Sequence, residues 1–195
     1  MSAAFVLGNG ISRLAVDLSL LKSRGRVYGC NALYREFEPH VLVSTDRGIS
    51  HHIQNSGYAK THVMYTRKPL PGLGARPVPQ NYYGFSSGPI AVGLAAIDRH
   101  LAVYLIGFDM GPTQNNRFNN VYADTEFYKK SSANPTYSGN WVRQIVTVCR
   151  DFPNTSFHRV CGETTAEIAE LRGIKNMRHT PMSDFLHRIN NIKDL

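Results

Sequence analysis

Short apolar runs alternate with amphipathic segments along this chain of 195 residues. Apolar runs of about four to eight residues between turn signals are typical of buried strands, and apolar residues at helical spacing are typical of helices. The runs that predict strands are 3–7, 26–30, 41–44, 61–66, 101–106, 156–160 and 175–178. The segments that predict helices are 12–24, 48–56, 86–97, 140–152, 164–172 and 183–192.

Strands that alternate with helices predict a mainly parallel sheet covered on both faces, that is, a Rossmann-like three-layer α/β fold. The residues predicted for its core are Phe5, Val6, Leu42, Val43, Val103 and Leu105. The length fits a single domain, 1–195. The segment 110–139 is polar and has no period, so we expect an insertion that acts as a lid or binds an acceptor.

Basic residues outnumber acidic residues by 22 to 14, which gives a net charge of +8. Such a surplus attracts anionic partners, but the basic residues are scattered, so nucleic-acid binding is an alternative and not the favoured hypothesis.

No window approaches the roughly 18 apolar residues of a membrane span. The spacing of Cys30, Cys149 and Cys161 predicts neither a zinc site nor a disulfide framework, so we expect a reducing, cytoplasmic location.

Small polar residues stand just beyond several of the predicted strands, namely Asn9, Asn31, Asp46 and Asp109. In an open α/β sheet, ligands bind at the carboxyl edge of the strands. The sequence therefore predicts a binding site at that edge. Asparagine and aspartate also form turns there without any ligand, which is the structural alternative.

Two turns could present backbone N–H groups to a phosphate, because glycine lets the backbone come close and helix N-termini attract anions. They are Gly-Asn-Gly at 8–10, followed by a predicted helix N-cap, and Ser-Ser-Gly at 86–88. The alternatives are an ordinary tight turn and ordinary serine capping. The residues predicted to bind a nucleotide are Gly8, Asn9, Gly10, Ser12, Asn31, Asp46, Ser86, Ser87, Gly88 and Asp109.

These motifs, in their order along the chain, resemble those of the bacterial sialyltransferases that use CMP-sialic acid. The matching motifs are Gly-Asn-Gly-x-Ser at 8–12, Cys-Asn at 30–31, Ser-Ser-Gly at 86–88 and a strand ending in Gly-Phe-Asp at 107–109. The resemblance implies a glycosyltransferase that binds a nucleotide sugar, with a CMP-type donor favoured, and that requires no metal or other cofactor. The sugar passes to an acceptor hydroxyl that the sequence does not identify, and any homo-oligomer is also left open.

The resemblance also implies two catalytic residues. Tyr122, in Val-Tyr-Ala-Asp at 121–124, stands where the family has a Tyr-Ala-x-Asp segment whose tyrosine binds the departing phosphate. His158 is the nearest match to the family's general base, which takes the proton of the acceptor hydroxyl, and its place inside an apolar strand predicts a core histidine as the alternative. The chain departs from the family pattern at Ile11, where the family has proline, and at 110–111, where Met-Gly stands in place of a second phosphate-binding tyrosine.

Two other hypotheses remain. The Gly-x-Gly-x-Ser opening also resembles the pterin pyrophosphokinase-like family, which transfers a diphosphate with a metal. That resemblance implies a metal-dependent nucleotide phosphotransferase in which Asp46 and Asp109 bind Mg²⁺ through a nucleotide phosphate. The third hypothesis is a module that binds a nucleotide or nucleic acid without catalysis.

Overall fold

The computed structural model describes residues 3–191, and its strands form one sheet in which every neighbouring pair is parallel. The strands are β1 (Ala3–Leu7), β2 (Gly25–Cys30), β3 (Val41–Val43), β4 (Met64–Thr66), β5 (Arg76–Pro77), β6 (Ala102–Ile106), β7 (Ser156–Cys161) and β8 (Met177–Pro181). Their order is β5-β4-β3-β2-β1-β6-β7-β8. The predicted Rossmann-like α/β fold is therefore confirmed.

The order in which successive strands are added to the sheet reverses at β1. The strands β2 to β5 extend the sheet on one side of β1, and β6 then pairs with its other side. The register places Leu7 beside both Gly29 and Ile106, so the loops after β1, β2 and β6 leave the sheet at one level. Such a reversal creates a crevice at the carboxyl ends of the central strands.

Helices lie on both faces of the sheet. Within the described residues the α-helices are α1 (Arg47–Asn55), α2 (Tyr58–Thr61), α3 (Ser87–Ile97), α4 (Gly139–Asp151), α5 (Ala169–Arg172) and α6 (Met182–Asn191). The cluster containing Val6 packs with α3 and α4, whereas Phe5 packs with Phe185 of α6 on the other face. No helix in residues 3–191 is long and apolar enough to cross a membrane.

The predicted core is confirmed, since Phe5, Val6, Leu42, Val43, Val103 and Leu105 are all 0% exposed. The predicted final strand begins at Met177, two residues later than expected, and continues to Pro181. Position 192, the predicted end of the last helix, lies outside the described residues. The sequence pattern did not predict the helix α2 or the two-residue strand β5, nor the 3-10 helices Asn31–Arg35 and Gln80–Tyr82.

The helix predicted after β1 is replaced by two short 3-10 turns, Ile11–Ala15 and Leu18–Leu20. The break lies at Val16, whose backbone is extended. Asp17 then starts the second turn by accepting a hydrogen bond from the backbone N–H of Ser19 at 3.0 Å. Gly10, and not Ser12, occupies the N-cap position of the first turn.

The predicted insertion between β6 and α4 is held against the core along its length. Residues 107–138 contain neither helix nor strand. The N–H of Val121 donates to the carbonyl oxygen of Asn9 at 2.8 Å. The hydroxyl of Tyr128 accepts a hydrogen bond from the N–H of Ala32 at 3.3 Å. These contacts place the middle of the insertion beside the carboxyl edge of the sheet.

Candidate functional site

A cleft of about 490 Å³ opens at the carboxyl ends of β1, β2, β3 and β6. The turn before α3 and the segment 107–138 complete its wall. Of the residues predicted to bind a nucleotide, those that line it are Gly8, Asn9, Gly10, Asn31, Asp46, Ser86, Ser87, Gly88 and Asp109. The structure thus brings most of the predicted residues together at the topological reversal.

The first predicted phosphate-binding turn, residues 8–12, is called the β1 turn below. The N–H of Gly10 donates to the carbonyl oxygen of Gly107 at 2.9 Å. The N–H of Ile11 donates to the side-chain oxygen of Asn119 at 2.9 Å. With these groups already bonded, the β1 turn does not offer the row of free N–H groups that its sequence suggested.

Asp109 completes the closure of the β1 turn. Its carboxylate is buried, at 2% exposure. It accepts hydrogen bonds from the N–H of Ser12 at 3.1 Å and from the Ser12 hydroxyl. It also accepts from Asn119 Nδ2 at 3.2 Å and from the hydroxyls of Thr164 at 2.6 Å and Thr165 at 3.2 Å. Asp109 therefore ties the β1 turn to the loop after β7, and Ser12 lies behind the cleft wall.

The threonine contacts to Asp109 also explain why α5 is shorter than predicted. The sequence places a helix over 164–172, but α5 begins at Ala169. Thr164 and Thr165 direct their hydroxyls to the carboxylate of Asp109. The Thr165 hydroxyl also accepts from the N–H of Gly162 at 2.9 Å. Serine and threonine hydroxyls that bond in this way favour turns over helix.

The side chain of Asn9 is fixed at both ends. Its Nδ2 donates to the carbonyl oxygen of Cys30 at 3.3 Å, and its Oδ1 accepts from Arg13 Nη1 at 3.0 Å. Arg13 is 2% exposed, and its Nη2 donates to Glu36 Oε1 at 2.8 Å. Asn9 therefore joins the loops after β1 and β2 and satisfies part of a buried guanidinium.

Tyr122 does not line the cleft. It is 6% exposed, and its hydroxyl donates to Glu36 Oε1 at 2.5 Å and accepts from Arg13 Nη2 at 3.2 Å. Burial is the main cause that raises the pKa of Tyr122 above its usual range. In this arrangement the hydroxyl stabilises the buried Arg13, behind the wall, and does not reach a phosphate in the cleft.

His158 also lies away from the cleft. It is in β7, where its ring stacks on Tyr104 with the centroids 4.7 Å apart, and its Nε2 lies 3.0 Å from the hydroxyl of Ser156. Burial lowers the pKa of His158, and the nearby charges of Arg178 and Arg188 lower it further. The position predicted for the general base is thus occupied by a histidine that packs within the fold.

The second predicted turn, residues 86–88, is called the α3 turn below. The N–H of Ser86 donates to Gln144 Oε1 at 2.8 Å. In the part of the chain that the structure describes, the N–H groups of Ser87 and Gly88 have no acceptor. Both residues line the cleft at the N-terminus of an 11-residue helix. The α3 turn therefore keeps two free N–H groups facing the cleft, which is the arrangement that an anion at a helix N-terminus requires.

Asn31 extends this site. Its backbone is left-handed, with φ 51°, and its Oδ1 accepts from the hydroxyls of Ser44 at 3.0 Å and Ser87 at 3.2 Å. Its Nδ2 has no acceptor within residues 3–191. The two hydroxyls hold the amide in place, so Asn31 offers a fixed hydrogen-bond donor to a ligand.

The insertion contributes side chains that sequence reasoning missed. Lys129 lines the cleft, and its ammonium lies 5.7 Å from the ring centroid of Phe118. The aromatic residues of the wall are Phe108, Phe118, Phe127, Tyr128 and Trp141. The concentration of aromatic residues in an otherwise polar segment was the available signal, but only the fold shows which rings face the cleft.

The ionisable groups of the cleft differ in whether they are charged at neutral pH and whether they are free to contact a ligand. Burial raises the pKa of both the Cys30 thiol and the Tyr128 hydroxyl to about 12, so both are protonated at neutral pH. Asp109 is saturated by internal donors. Among the described residues, Asp46 and Lys129 are the exposed charged side chains of the lining. Of the two carboxylates predicted to hold Mg²⁺, only Asp46 has free oxygens.

No protein-family model matches the chain, and no curated protein matches its sequence. Among solved structures, the chain is similar to the sialyltransferase CstII from Campylobacter jejuni, determined in complex with a substrate analogue, cytidine-5'-monophosphate. The two chains are 13% identical, and the similarity covers 82% of this chain and 79% of that one with a TM-score of 0.49.

Proposed function

We propose that the cleft binds a nucleotide, with its phosphate at the α3 turn. The observation that carries this proposal is the pair of free N–H groups of Ser87 and Gly88 at the start of α3, in a cleft that also contains Lys129. A helix N-terminus and a lysine both favour a phosphate. The amide donor of Asn31 lies beside the same turn.

The remainder of the cleft suits a base and a ribose. Its aromatic wall offers stacking surfaces, and stacking on an aromatic ring tolerates any base. Its volume of about 490 Å³ falls within the range of about 300–1,000 Å³ that is usual for small-molecule sites. These features support a compact ligand with one anionic end and one flat end.

The finer proposal is that the nucleotide carries a sugar, with a CMP-type donor favoured, and that the sugar passes to an acceptor hydroxyl. The motifs at 30–31 and 86–88 support it through their resemblance to the sialyltransferases. In this reaction the acceptor oxygen forms a bond to the sugar, the bond between the sugar and the phosphate breaks, and the proton of the acceptor hydroxyl passes to solvent. Lys129 with the N–H groups of the α3 turn stabilises the charge on the departing phosphate. The proposal assigns no role in the reaction to His158.

Titration calorimetry with CMP tests the binding step. Lys129→Met removes the charge and keeps much of the apolar stem, and we expect it to weaken CMP binding about tenfold, the equivalent of about 1.4 kcal/mol. The matched control is Lys130→Met, because Lys130 is the adjacent exposed lysine and does not line the cleft. Equal affinities for the two variants would contradict the phosphate position.

Release of free CMP from a CMP-linked sugar tests the reaction step. We expect release with and without a chelator, because the proposal uses protein groups where a metal would otherwise neutralise the phosphate. Release that stops on chelation would favour the metal-dependent phosphotransferase. Tight CMP binding without release under any condition would favour the non-catalytic module.

A further inference from the structure

We propose that Asp46 determines which group a bound nucleotide can carry beyond its first phosphate. The part of the cleft between Asp46 and the α3 turn accepts a group that donates hydrogen bonds, and it rejects a second phosphate. This inference rests on the proposed nucleotide binding and deepens it.

The backbone places Asp46 directly beside the proposed phosphate position. The N–H of Thr45 donates to the Ser87 hydroxyl at 3.0 Å, and the Thr45 hydroxyl lies 3.0 Å from the same oxygen. Thr45 thus joins the end of β3 to the start of α3, and Asp46 is the next residue along the chain. A ligand bound at the α3 turn therefore has Asp46 as a neighbour.

The carboxylate of Asp46 remains free for a ligand. It is exposed and lines the cleft, and it makes no hydrogen bond or ion pair with another described residue. Asp46 occupies the N-cap position of α1, but its side chain does not cap that helix. Asp109, in contrast, has its oxygens bonded to Ser12, Asn119 and two threonines. Asp46 can therefore accept hydrogen bonds from hydroxyl or amino groups.

Asp46 also acts on the aromatic wall of the cleft. Its charge is one of the causes that raise the pKa of Tyr128, after the larger effect of burial. The carboxylate is thus close to the insertion as well as to the α3 turn.

The lining offers enough positive charge to offset one phosphate but not two. Lys129 is the cationic side chain among the described residues that line the cleft, and it accompanies the N–H groups of Ser87 and Gly88. A second phosphate would meet Asp46 without a further cation to offset the repulsion. Like charges a few ångströms apart in a partly buried cleft repel strongly, and such repulsion is a common source of specificity.

A series of nucleotides with one base provides the test. We would measure the dissociation constants of CMP, CDP and CTP by titration calorimetry in EDTA, for the wild-type chain and for Asp46→Asn. We expect CTP to bind the wild type at least about tenfold more weakly than CMP, and the variant to bind all three within about threefold. Asp184→Asn, which removes a carboxylate from α6 outside the cleft, is the matched control and should keep the wild-type order.

Two results would contradict the role of Asp46, and a third, different result would contradict nucleotide binding itself. CTP that binds the wild type as tightly as CMP in EDTA shows that Asp46 does not exclude a second phosphate. Added Mg²⁺ that makes CTP the tightest ligand of the wild type, but not of Asp46→Asn, identifies Asp46 as a metal ligand. Failure of all three nucleotides to bind removes the proposed function, and this inference with it.

Discussion

The β1 turn and the α3 turn have similar sequences and opposite roles. Both combine glycine with small polar residues after an apolar run or before a helix, and both predict a place for a phosphate. In the β1 turn, the N–H groups of Gly10, Ile11 and Ser12 are bonded to Gly107, Asn119 and Asp109. In the α3 turn, the N–H groups of Ser87 and Gly88 remain free.

The difference comes from what surrounds each turn. Gly107, Asn119 and Asp109 reach the β1 turn and accept hydrogen bonds from its backbone N–H groups. The α3 turn faces the cleft, and of its N–H groups only that of Ser86 has an acceptor, Gln144, among the described residues. A turn whose donors are satisfied within the protein holds the fold together, whereas a turn whose donors are free is available to a ligand.

Asp109→Ala should produce the largest effect in this comparison. The substitution removes the acceptor of Ser12, Asn119, Thr164 and Thr165 at a buried site, so we expect a loss of about 3 kcal/mol or more of unfolding free energy. Urea denaturation followed by circular dichroism measures it. Asp46→Asn is the control and should leave stability nearly unchanged. A stable Asp109→Ala protein would show that the β1 turn does not depend on this carboxylate.

Gly10→Ala and Gly88→Ala should show how much space each turn leaves for a side chain. A Cβ at Gly10 would lie 2.6 Å from the Asp109 carboxylate and 2.7 Å from the backbone oxygen of Gly107, so we expect a loss of about 2 kcal/mol. A Cβ at Gly88 would lie 3.2 Å from the ring of Phe108. The helical preference of alanine over glycine, up to about 1 kcal/mol, should offset that contact.

Thermal unfolding of both glycine variants gives the comparison directly. We expect an early transition for Gly10→Ala and a transition close to that of the wild type for Gly88→Ala. Equal melting temperatures would contradict the view that only the β1 turn is closed.

Asn9→Ala and Asn31→Gly should differ in their effect on binding. Asn9→Ala removes one acceptor of the buried Arg13, so we expect a loss of about 1–3 kcal/mol in stability with CMP affinity unchanged. Asn31→Gly suits the backbone φ of 51°, but it removes the acceptor of the buried Ser44 and Ser87 hydroxyls together with the Nδ2 donor, so we expect a similar loss of stability and weaker CMP binding. Denaturation and calorimetry on each variant measure the two effects. Weaker CMP binding in Asn9→Ala alone would move the binding role from Asn31 to Asn9.

Tyr122→Phe should have the smallest effect. It removes the hydroxyl that contacts Arg13 and Glu36 and keeps the ring, so we expect a loss of about 1 kcal/mol in stability with CMP affinity unchanged. The same preparations would be assayed for release of CMP from a CMP-linked sugar. A large fall in release at unchanged stability would place Tyr122 in the reaction after all.

Much of the fold could be predicted from the sequence because its signals are local. Buried strands such as β1 and β6 read as unbroken apolar runs, and their alternation with helices specifies a parallel sheet. The 3-10 turns after β1 could not be predicted, because the leucines at 14, 18 and 21 are spaced as in a helix. The break between the turns depends on the extended backbone of Val16 and the cap that Asp17 provides.

The sequence also indicated the edge of the sheet where a site would lie, since polar residues follow β1, β2, β3 and β6. It could not tell which of those residues would stay free. Asp46 and Asp109 look alike as single carboxylates after apolar runs. One is exposed in the cleft, and the other is surrounded by four residues that donate hydrogen bonds.

The sequence by itself therefore determined the parallel α/β sheet and the edge that carries the cleft, because strand length, apolar pattern and turn residues are properties of neighbouring positions. Only the tertiary structure decided the role of each polar residue. Hydrogen bonds between segments far apart in the chain, such as those from Thr164 to Asp109 and from Arg13 to Tyr122, consume some donors and acceptors and leave others free. No local pattern records which partner a buried polar group will find, and that pairing separates structural residues from those available to a ligand.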